Sequence, residues 1–399
     1  MIGTIDQESR PRLDWPQLIA LVLLLGIGAA FIHSATSSNE IFSTRPWFRQ
    51  PFFWHLVYGG IGMIAGAAIC WIDYRQLSRW AIVAYWGSIL LLLGVFVVGK
   101  EVYGARRWID FGPVQIQPSE FAKISFIFML ASYLSRPVEE LRQPKVFWKA
   151  IGLMVLPFLL ILKEPDLGSA LLLLPVGLVM LWAAGTPPRW LIQMLGAGGT
   201  LIVLLLVDIL FAPPQWQFKL EDYQRRRLLV YFGIDFAANA PAPERARLRR
   251  EQRAHSYNVE QALISVGSGG WLGKGWNQGQ QIALGYLPRA VAHNDFIFSV
   301  IAEEKGFMGS FIVISLYSVV LFTGIRTAAQ ARDRLGRLLA VGVVTLIFSQ
   351  VFINIGMNIR LMPVTGVPLP LLSSGGSSVL CSLIAAGVLQ NIHLYRRNY

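Results

Sequence analysis

The chain has 399 residues, of which 54% are hydrophobic and only 15% are charged, and its mean hydropathy is +0.50. Soluble domains carry about 25% charged residues, so this composition excludes an ordinary soluble protein. Repeated apolar runs predict an all-α polytopic membrane protein. The formal charge of +12 indicates basic loops at an anionic membrane face, because no basic and aromatic module points to nucleic acid.

Ten apolar runs follow one another along the chain and predict about ten transmembrane helices. They cover residues 15–31, 53–72, 80–98, 121–134, 150–162, 167–184, 190–211, 296–323, 338–355 and 377–394. No small-residue cleavage site follows the first run, so we expect it to be a retained span. The pattern predicts one integral membrane domain over 1–399, with a long loop over 213–294.

Positive charge is divided unequally between the two sets of short loops, which predicts the orientation. With both termini in the cytoplasm, the inner segments hold Arg75, Arg79, Arg136, Arg142, Lys145, Lys149, Arg189, Arg326, Arg332, Arg334, Arg337, Arg396 and Arg397. The opposite short loops hold fewer, chiefly Arg45, Arg49, Lys100, Arg106, Arg107 and Arg360. We therefore expect both termini to be cytoplasmic and the long loop to face outward.

The amino-acid composition of the long loop changes along its length. Its stretches 221–227 and 244–253 are charged and compatible with helices, and both an amphipathic pair on the membrane and a solvated linker fit this pattern. From residue 265 to 279, glycines alternate with Trp271 and Trp276. Such a segment either brings its backbone close to a partner or turns often.

Asp295 stands where the long loop gives way to the eighth run. An aspartate there is often a helix N-cap, whereas a carboxylate facing water can be a general base worth about 10²–10⁴-fold in rate. For His293, two residues before Asp295, a surface position is the simpler interpretation and a catalytic role is the alternative. Glu303, Glu304 and Lys305 lie further into the run, where an unpaired charge costs about 2.5–3.5 kcal/mol on insertion scales, so we expect them to have partners.

Two other polar groups lie beside predicted spans. Glu164-Pro165-Asp166 is either an interfacial turn or a site, with Lys163 as a neutralising partner. Between the third and fourth runs, Arg106 and Arg107 are suited to clamping a phosphate.

The fourth run begins with a charged pair, Glu120 and Lys123, whose spacing of three predicts a salt bridge on one helix face. Pro118 marks the start of that helix. Three prolines and Gly366 within 362–370, followed by a stretch rich in serine and glycine over 373–378, exclude a regular span. They predict a broken segment that is buried or lines a cavity.

Four motifs occur in order: Gln-Pro-Ser-Glu-Phe-Ala-Lys (117–123), Glu-Pro-Asp-Leu-Gly-Ser-Ala-Leu (164–171), His-Asn-Asp-Phe-Ile-Phe (293–298), and Pro-Val-Thr-Gly-Val-Pro-Leu-Pro (363–370) with Ser-Gly-Gly-Ser-Ser (374–378). Together they resemble the SEDS family. The stretch Gly-Lys-Gly-Trp-Asn-Gln-Gly (273–279) is similar to the RodA-like elongation branch more than to the FtsW-like division branch.

The resemblance implies a peptidoglycan glycosyltransferase that polymerises lipid II into glycan strands at the outer face of the bacterial cytoplasmic membrane, for cell elongation and rod shape. It implies Asp295 as the catalytic base. The implied substrate-binding residues are Arg106, Arg107, Lys123, Glu120, Glu164, Asp166, His293 and Ser377. Implied partners are a class B penicillin-binding protein transpeptidase and other elongation-complex proteins.

The residues leave some alternatives open. The histidines show no metal-ligand spacing, which predicts no metal site, although a divalent cation that assists the reaction stays an open alternative. A lipid II flippase is the rival function, because broken spans and buried charges also mark transporters. An FtsW-like division polymerase is the second alternative.

Overall fold

The computed structural model describes residues 13–37, 42, 44–102, 105–110, 115–211, 229, 231–232, 247, 257–287 and 291–396. The charged stretches 221–227 and 244–253 of the long loop, apart from Arg247, lie outside the described residues. The helices are α1 (Trp15–Ser37), α2 (Pro51–Ile69), α3 (Tyr74–Arg79), α4 (Ala81–Val98), α5 (Pro118–Leu134), α6 (Val138–Leu141), α7 (Pro144–Lys163), α8 (Leu167–Ala183), α9 (Pro188–Phe211), α10 (Gln280–Ala283), α11 (Ile297–Gln330), α12 (Arg334–Asn358) and α13 (Gly376–Tyr395). A further helical segment covers 257–268.

Each of the ten predicted spans corresponds to one of these helices, so the largely helical membrane fold is confirmed. Within the described residues, eight helices are long and apolar enough to cross a membrane: α1, α2, α4, α7, α9, α11, α12 and α13. The helix α8 is apolar but shorter. The helix α5 has 17 residues and carries the charged pair Glu120 and Lys123 inside the protein.

The structure corrects two details of the prediction. First, the expected loop over 135–149 is partly helical, because α7 begins at Pro144, where proline suits the first turn. Second, the fold is not purely α-helical. A small antiparallel sheet of β1 (Lys100–Val102), β2 (Ala105–Asp110) and β3 (Gln115–Ile116) joins α4 to α5. The β-branched and aromatic residues of this segment favour strands over another helix.

The helices pack as a bundle in which α13 lies against α2 and α12, and α11 lies against α1 and α12. The contact between α2 and α13 is close because both helices present glycine: a methyl group added to Gly387 would lie 2.6 Å from the Cα atom of Gly66. Small residues permit such close packing between membrane helices. This arrangement brings the amino-terminal end of α13 toward the start of α11.

Candidate active site

A non-helical segment connects α12 to α13, as the prolines predict. We call residues 359–375 the linking segment. The Ser373 hydroxyl donates to the carbonyl of Asn294 at 2.7 Å, and the Ser374 amide donates to the carbonyl of His293 at 3.0 Å. The linking segment therefore fixes the backbone immediately before Asp295.

Asp295 is half-buried at this junction. A methyl group added to Gly366 would lie 3.7 Å from Asp295 Oδ2, so the linking segment passes beside the carboxylate. The expectation that Asp295 is the N-cap is wrong: Phe296 occupies the N-cap position, and its side chain makes no capping hydrogen bond. The carboxylate thus precedes the helix by two residues, because 291–296 form turns rather than the first helical turn.

A buried asparagine, Asn358, caps the helix instead, and a second one, Asn354, supports the same junction; the sequence did not predict either role. Asn358 Oδ1 accepts hydrogen bonds from the Ser299 amide at 3.3 Å and the Ser299 hydroxyl at 2.6 Å. The side-chain amides of Asn354 and Asn358 both donate to the carbonyl of Asp295, at 3.2 and 3.1 Å. Asn354 also donates to Val367 O at 2.8 Å, so the pair ties α12 to α11 and to the linking segment.

His293 is also inside the protein, not on its surface as the simpler interpretation held. It is 7% exposed, and its ring lies 5.5 Å from the ring of Phe42, edge to face. Its position two residues before Asp295 and its bond to Ser374 place it in the same junction.

A second group of predicted residues meets at the start of α8. Asp166 caps this helix by accepting from the Ser169 amide at 3.1 Å, and Gln117 Nε2 donates to its other oxygen at 3.0 Å. The Gln117 amide in turn donates to Ser377 Oγ at 3.1 Å, so Asp166 and Ser377 are linked through one residue. The linking segment reaches this group too, since a methyl group on Gly168 would lie 2.7 Å from Thr365 O.

The two adjacent arginines lie in different surroundings, and the expectation that they clamp a phosphate together stays a prediction. Successive residues of a strand point to opposite faces, so Arg106 is exposed whereas Arg107 is half-buried. Arg107 donates to the carbonyls of Glu164 and Pro165. Arg107 is therefore the positive group beside Glu164, the position that we expected Lys163 to occupy. Lys163 instead lies over the ring of Phe96, 5.6 Å from its centroid.

Glu164 is 1% exposed, and neither carboxylate oxygen has a hydrogen-bond donor among the described residues. Burial raises the pKa of Glu164 from its ordinary value of 4.5 to about 9, the charge of Asp166 raises it further, and Arg107 opposes both. At neutral pH the group is therefore protonated.

This raised pKa predicts that stability falls as pH increases. Between pH 4.5 and about 9 the folded state holds a proton on Glu164 that the unfolded state has released, so ionisation works against folding. We expect Glu164→Gln to be more stable than the wild type at the alkaline end of this range and to differ less at the acidic end. Thermal unfolding in detergent at several pH values measures this difference. If the melting temperatures of the two proteins changed with pH in parallel, the raised pKa of Glu164 would be contradicted.

Glu120 and Lys123 form the salt bridge that their spacing predicts. Lys123 Nζ lies 2.7 Å from Glu120 Oε1, and the side chains are 1% and 2% exposed, respectively. The lysine charge is thus neutralised within the first two turns of α5, the helix whose N-cap is Gln117.

The glycine-rich stretch 269–281, which we call the glycine-rich clamp, supplies partners for the two glutamates of α11, whereas Lys305 is exposed. Lys274 Nζ lies 2.7 Å from Glu303 Oε1, and the amide of Gln281 donates to the same oxygen at 3.1 Å. Glu304 accepts from the Asn277 amide at 3.0 Å and from the hydroxyl of Ser34 in α1. The carboxylates therefore sit in a polar cage and not in hydrocarbon.

The clamp fits because α11 is broken at Gly306, whose φ of +62° is non-helical. Glycine in the clamp allows the two backbones to touch, since a methyl group on Gly273 would lie 2.2 Å from Glu304 O. Of the two possibilities left by the sequence, close backbone approach is therefore confirmed.

We predict that Gly273→Ala destabilises the protein much more than Gly270→Ala does. Both glycines have positive φ, +78° and +57°, so both substitutions carry the left-handed strain of about 1–2 kcal/mol. A methyl group on Gly270 meets no atom within 4 Å, whereas one on Gly273 collides with α11. Thermal unfolding of the two variants separates the strain from the collision. Equal losses of thermal stability in the two variants would mean that the glycine-rich clamp moves away from α11 to accommodate the added methyl group.

No group of three or more metal-ligating side chains occurs among the described residues. Amide groups of the protein donate hydrogen bonds to the Asp166 carboxylate and to the backbone carbonyl of Asp295. The arrangement offers carboxylates and guanidinium groups around one linking segment, which suits proton transfer beside an anionic substrate.

Comparison with known proteins agrees with the motifs. A family model described as "Cell cycle protein" (FtsW/RodA/SpoVE) matches residues 16–398. The peptidoglycan glycosyltransferase MrdB of Escherichia coli strain K12 is 34% identical over 391 residues, which cover 98% of this chain and 95% of that protein.

Two solved structures have the same fold. A chain from a study of how a peptidoglycan synthase complex coordinates polymerization and crosslinking superposes with a TM-score of 0.75 at 27% identity, covering 97% of this chain and 99% of that one. The rod shape determining protein RodA of Thermus thermophilus superposes with a TM-score of 0.64 at 27% identity, covering 97% and 98%. This chain belongs to the FtsW/RodA/SpoVE family, known as the SEDS family.

Proposed function

We propose that this multi-pass membrane protein is a peptidoglycan glycosyltransferase that polymerises lipid II into glycan strands for cell elongation. The curated relative MrdB bears this activity in its name. The observation that carries the proposal is the placement of Asp295. Two buried asparagines hold its backbone, and its half-buried side chain lies beside Gly366 in the linking segment.

In the proposed reaction, the Asp295 carboxylate accepts the proton of the acceptor sugar's 4-hydroxyl. That oxygen attacks the anomeric carbon of the donor sugar as the bond from that carbon to the diphosphate breaks. Undecaprenyl diphosphate leaves with the bonding electrons, and the configuration at the anomeric carbon inverts. A carboxylate in this role contributes about 10²–10⁴-fold to the rate.

The remaining candidates are assigned to substrate binding. We assign Arg106 and Arg107 to offsetting the charge that develops on the diphosphate. Arg106 is exposed, and Arg107 lies at the α7–α8 turn. We also assign Lys123 to substrate binding, within α5, where Glu120 holds its ammonium group. We assign Glu164, Asp166, His293 and Ser377 to the same substrate-binding region.

The proposed setting is the outer face of the bacterial cytoplasmic membrane, with both termini inside. The proposed partners are a class B penicillin-binding protein transpeptidase and other elongation-complex proteins. The related chain from a peptidoglycan synthase complex supports a transpeptidase partner.

The test is glycan synthesis from purified lipid II by this chain together with its transpeptidase partner, with products resolved by length on gels. We expect long strands. A parallel assay follows transfer of lipid II across vesicles that contain the protein. Transfer without polymer formation would overturn the polymerase assignment in favour of a flippase.

A further inference from the structure

A pocket of about 230 Å³ lies at the other end of the bundle from Asp295, between the start of α1, the last turns of α11 and the end of α13. This volume is several times the roughly 30 Å³ that one water molecule occupies in the liquid. The charge distribution of the short loops assigns this end to the cytoplasmic face. None of its residues takes part in the proposed reaction.

The walls of the pocket are rich in basic groups. Arg326 Nη2 lies 2.5 Å from Asp14 Oδ2. Arg396 Nη1 donates to Gln330 Oε1 at 2.6 Å and lies 2.8 Å from His393 Nδ1, which itself is 3.8 Å from Asp14. The lining thus contains two guanidinium groups and one carboxylate, so it carries a net positive charge.

One donor in this pocket is not used by the protein. Arg326 Nε is buried and has no hydrogen-bond partner among the described residues. An unpaired buried donor is costly, and the planar guanidinium fork matches the oxygens of a phosphate. Asp14 Oδ1 likewise has no hydrogen-bond partner among these residues. The Asp14 carboxylate would compete with a bound phosphate for Arg326.

Trp15 lines the same pocket and is 61% exposed. Tryptophan at the end of a membrane helix lies at the level of the lipid headgroups. Basic pockets between membrane helices on the cytoplasmic side are suited to anionic headgroups. The pocket therefore opens where a phosphate from either a lipid or the cytosol reaches it.

We propose that this pocket binds a phosphate group, carried either by an anionic phospholipid or by a soluble phosphate compound, between Arg326 and Arg396. Binding there joins the beginning of α1 to the end of α13 and is independent of catalysis at Asp295. The inference goes beyond the proposed glycosyltransferase activity and does not rest on it.

The test uses the full chain in nanodiscs of phosphatidylcholine, whose choline neutralises its own phosphate, with or without phosphatidylglycerol. Native mass spectrometry counts bound phosphatidylglycerol, and calorimetry measures inorganic phosphate binding in phosphatidylcholine alone. We expect binding in at least one arm, and the responding arm identifies the source. Arg396→Gln should weaken it about tenfold or more, since it removes charged hydrogen bonds. Arg337→Gln, an exposed arginine at the start of α12, should leave it unchanged.

Asp14→Asn distinguishes a binding site from a structural clamp, because the two predict opposite signs. If the carboxylate competes with phosphate for Arg326, its neutralisation strengthens phosphate binding. If phosphate binds elsewhere and the cluster only holds the chain end, Asp14→Asn lowers thermal stability and does not strengthen binding. The proposal is overturned by that second result, by the absence of binding in both arms, or by equal effects of Arg396→Gln and Arg337→Gln.

Discussion

Replacement of Asp295 by alanine should reduce glycan polymerisation to less than about one hundredth of the wild-type rate, because the acceptor hydroxyl loses its general base. The fold should survive the change. The asparagines of α12 bond to the backbone carbonyl of Asp295 and not to its carboxylate, so the substitution leaves the cap of α11 in place. Polymerisation of lipid II by the protein with its transpeptidase partner measures the rate.

The control for this variant is Asp110→Ala, which removes an exposed carboxylate from β2. We expect that variant to polymerise normally. Thermal unfolding and partner binding should match the wild type for both variants. Near-normal strand synthesis by Asp295→Ala, or equal losses in the two variants, would remove Asp295 from the catalytic role.

Replacement of Asn358 by alanine should impair both stability and catalysis. The change leaves the Ser299 amide without its acceptor and the Asp295 carbonyl with one donor fewer, and each buried unsatisfied group costs about 1–3 kcal/mol. A displacement of 1 Å at a reacting group costs about 10²-fold in rate. We therefore expect a rate per folded molecule at least about tenfold below that of the wild type.

Asn391 provides a matched control, because it is an equally buried asparagine at the far end of α13. It is 0% exposed, like Asn358, and donates to the carbonyls of Ile69 and Ile72 at 2.6 Å. Asn391→Ala should lose similar stability but keep its rate per folded molecule. If both variants lost rate equally, the Asn358 effect would be one of general stability, and the positioning of Asp295 would have another cause.

Features set by local geometry could be predicted from the sequence. The apolar runs predict the positions of ten helices, because a helix in lipid must satisfy its own backbone hydrogen bonds within one segment. The spacing of Glu120 and Lys123 predicts their salt bridge, since residues three apart share a helix face. The prolines of 362–370 predict a broken segment for an equally local reason, the loss of backbone donors.

Features that depend on distant partners could not be predicted. Lys274 and Glu303 are 29 residues apart, and no periodicity links them. Arg107, rather than the neighbouring Lys163, lies beside Glu164 because the sheet carries it there. The glycine-rich stretch and the charges of α11 indicated that such contacts exist, but they did not indicate which residues make them.

The sequence by itself therefore determined the family, the membrane helices and the residue expected to act as the base. Those properties follow from motif order, hydropathy and residue spacing, which depend only on the order of residues along the chain. The tertiary structure decided how Asp295 is held, which carboxylates are caged by the glycine-rich clamp, and which basic groups line the pocket at the chain ends. Each of these is a contact between elements far apart in sequence, so its geometry exists only once the helices have packed.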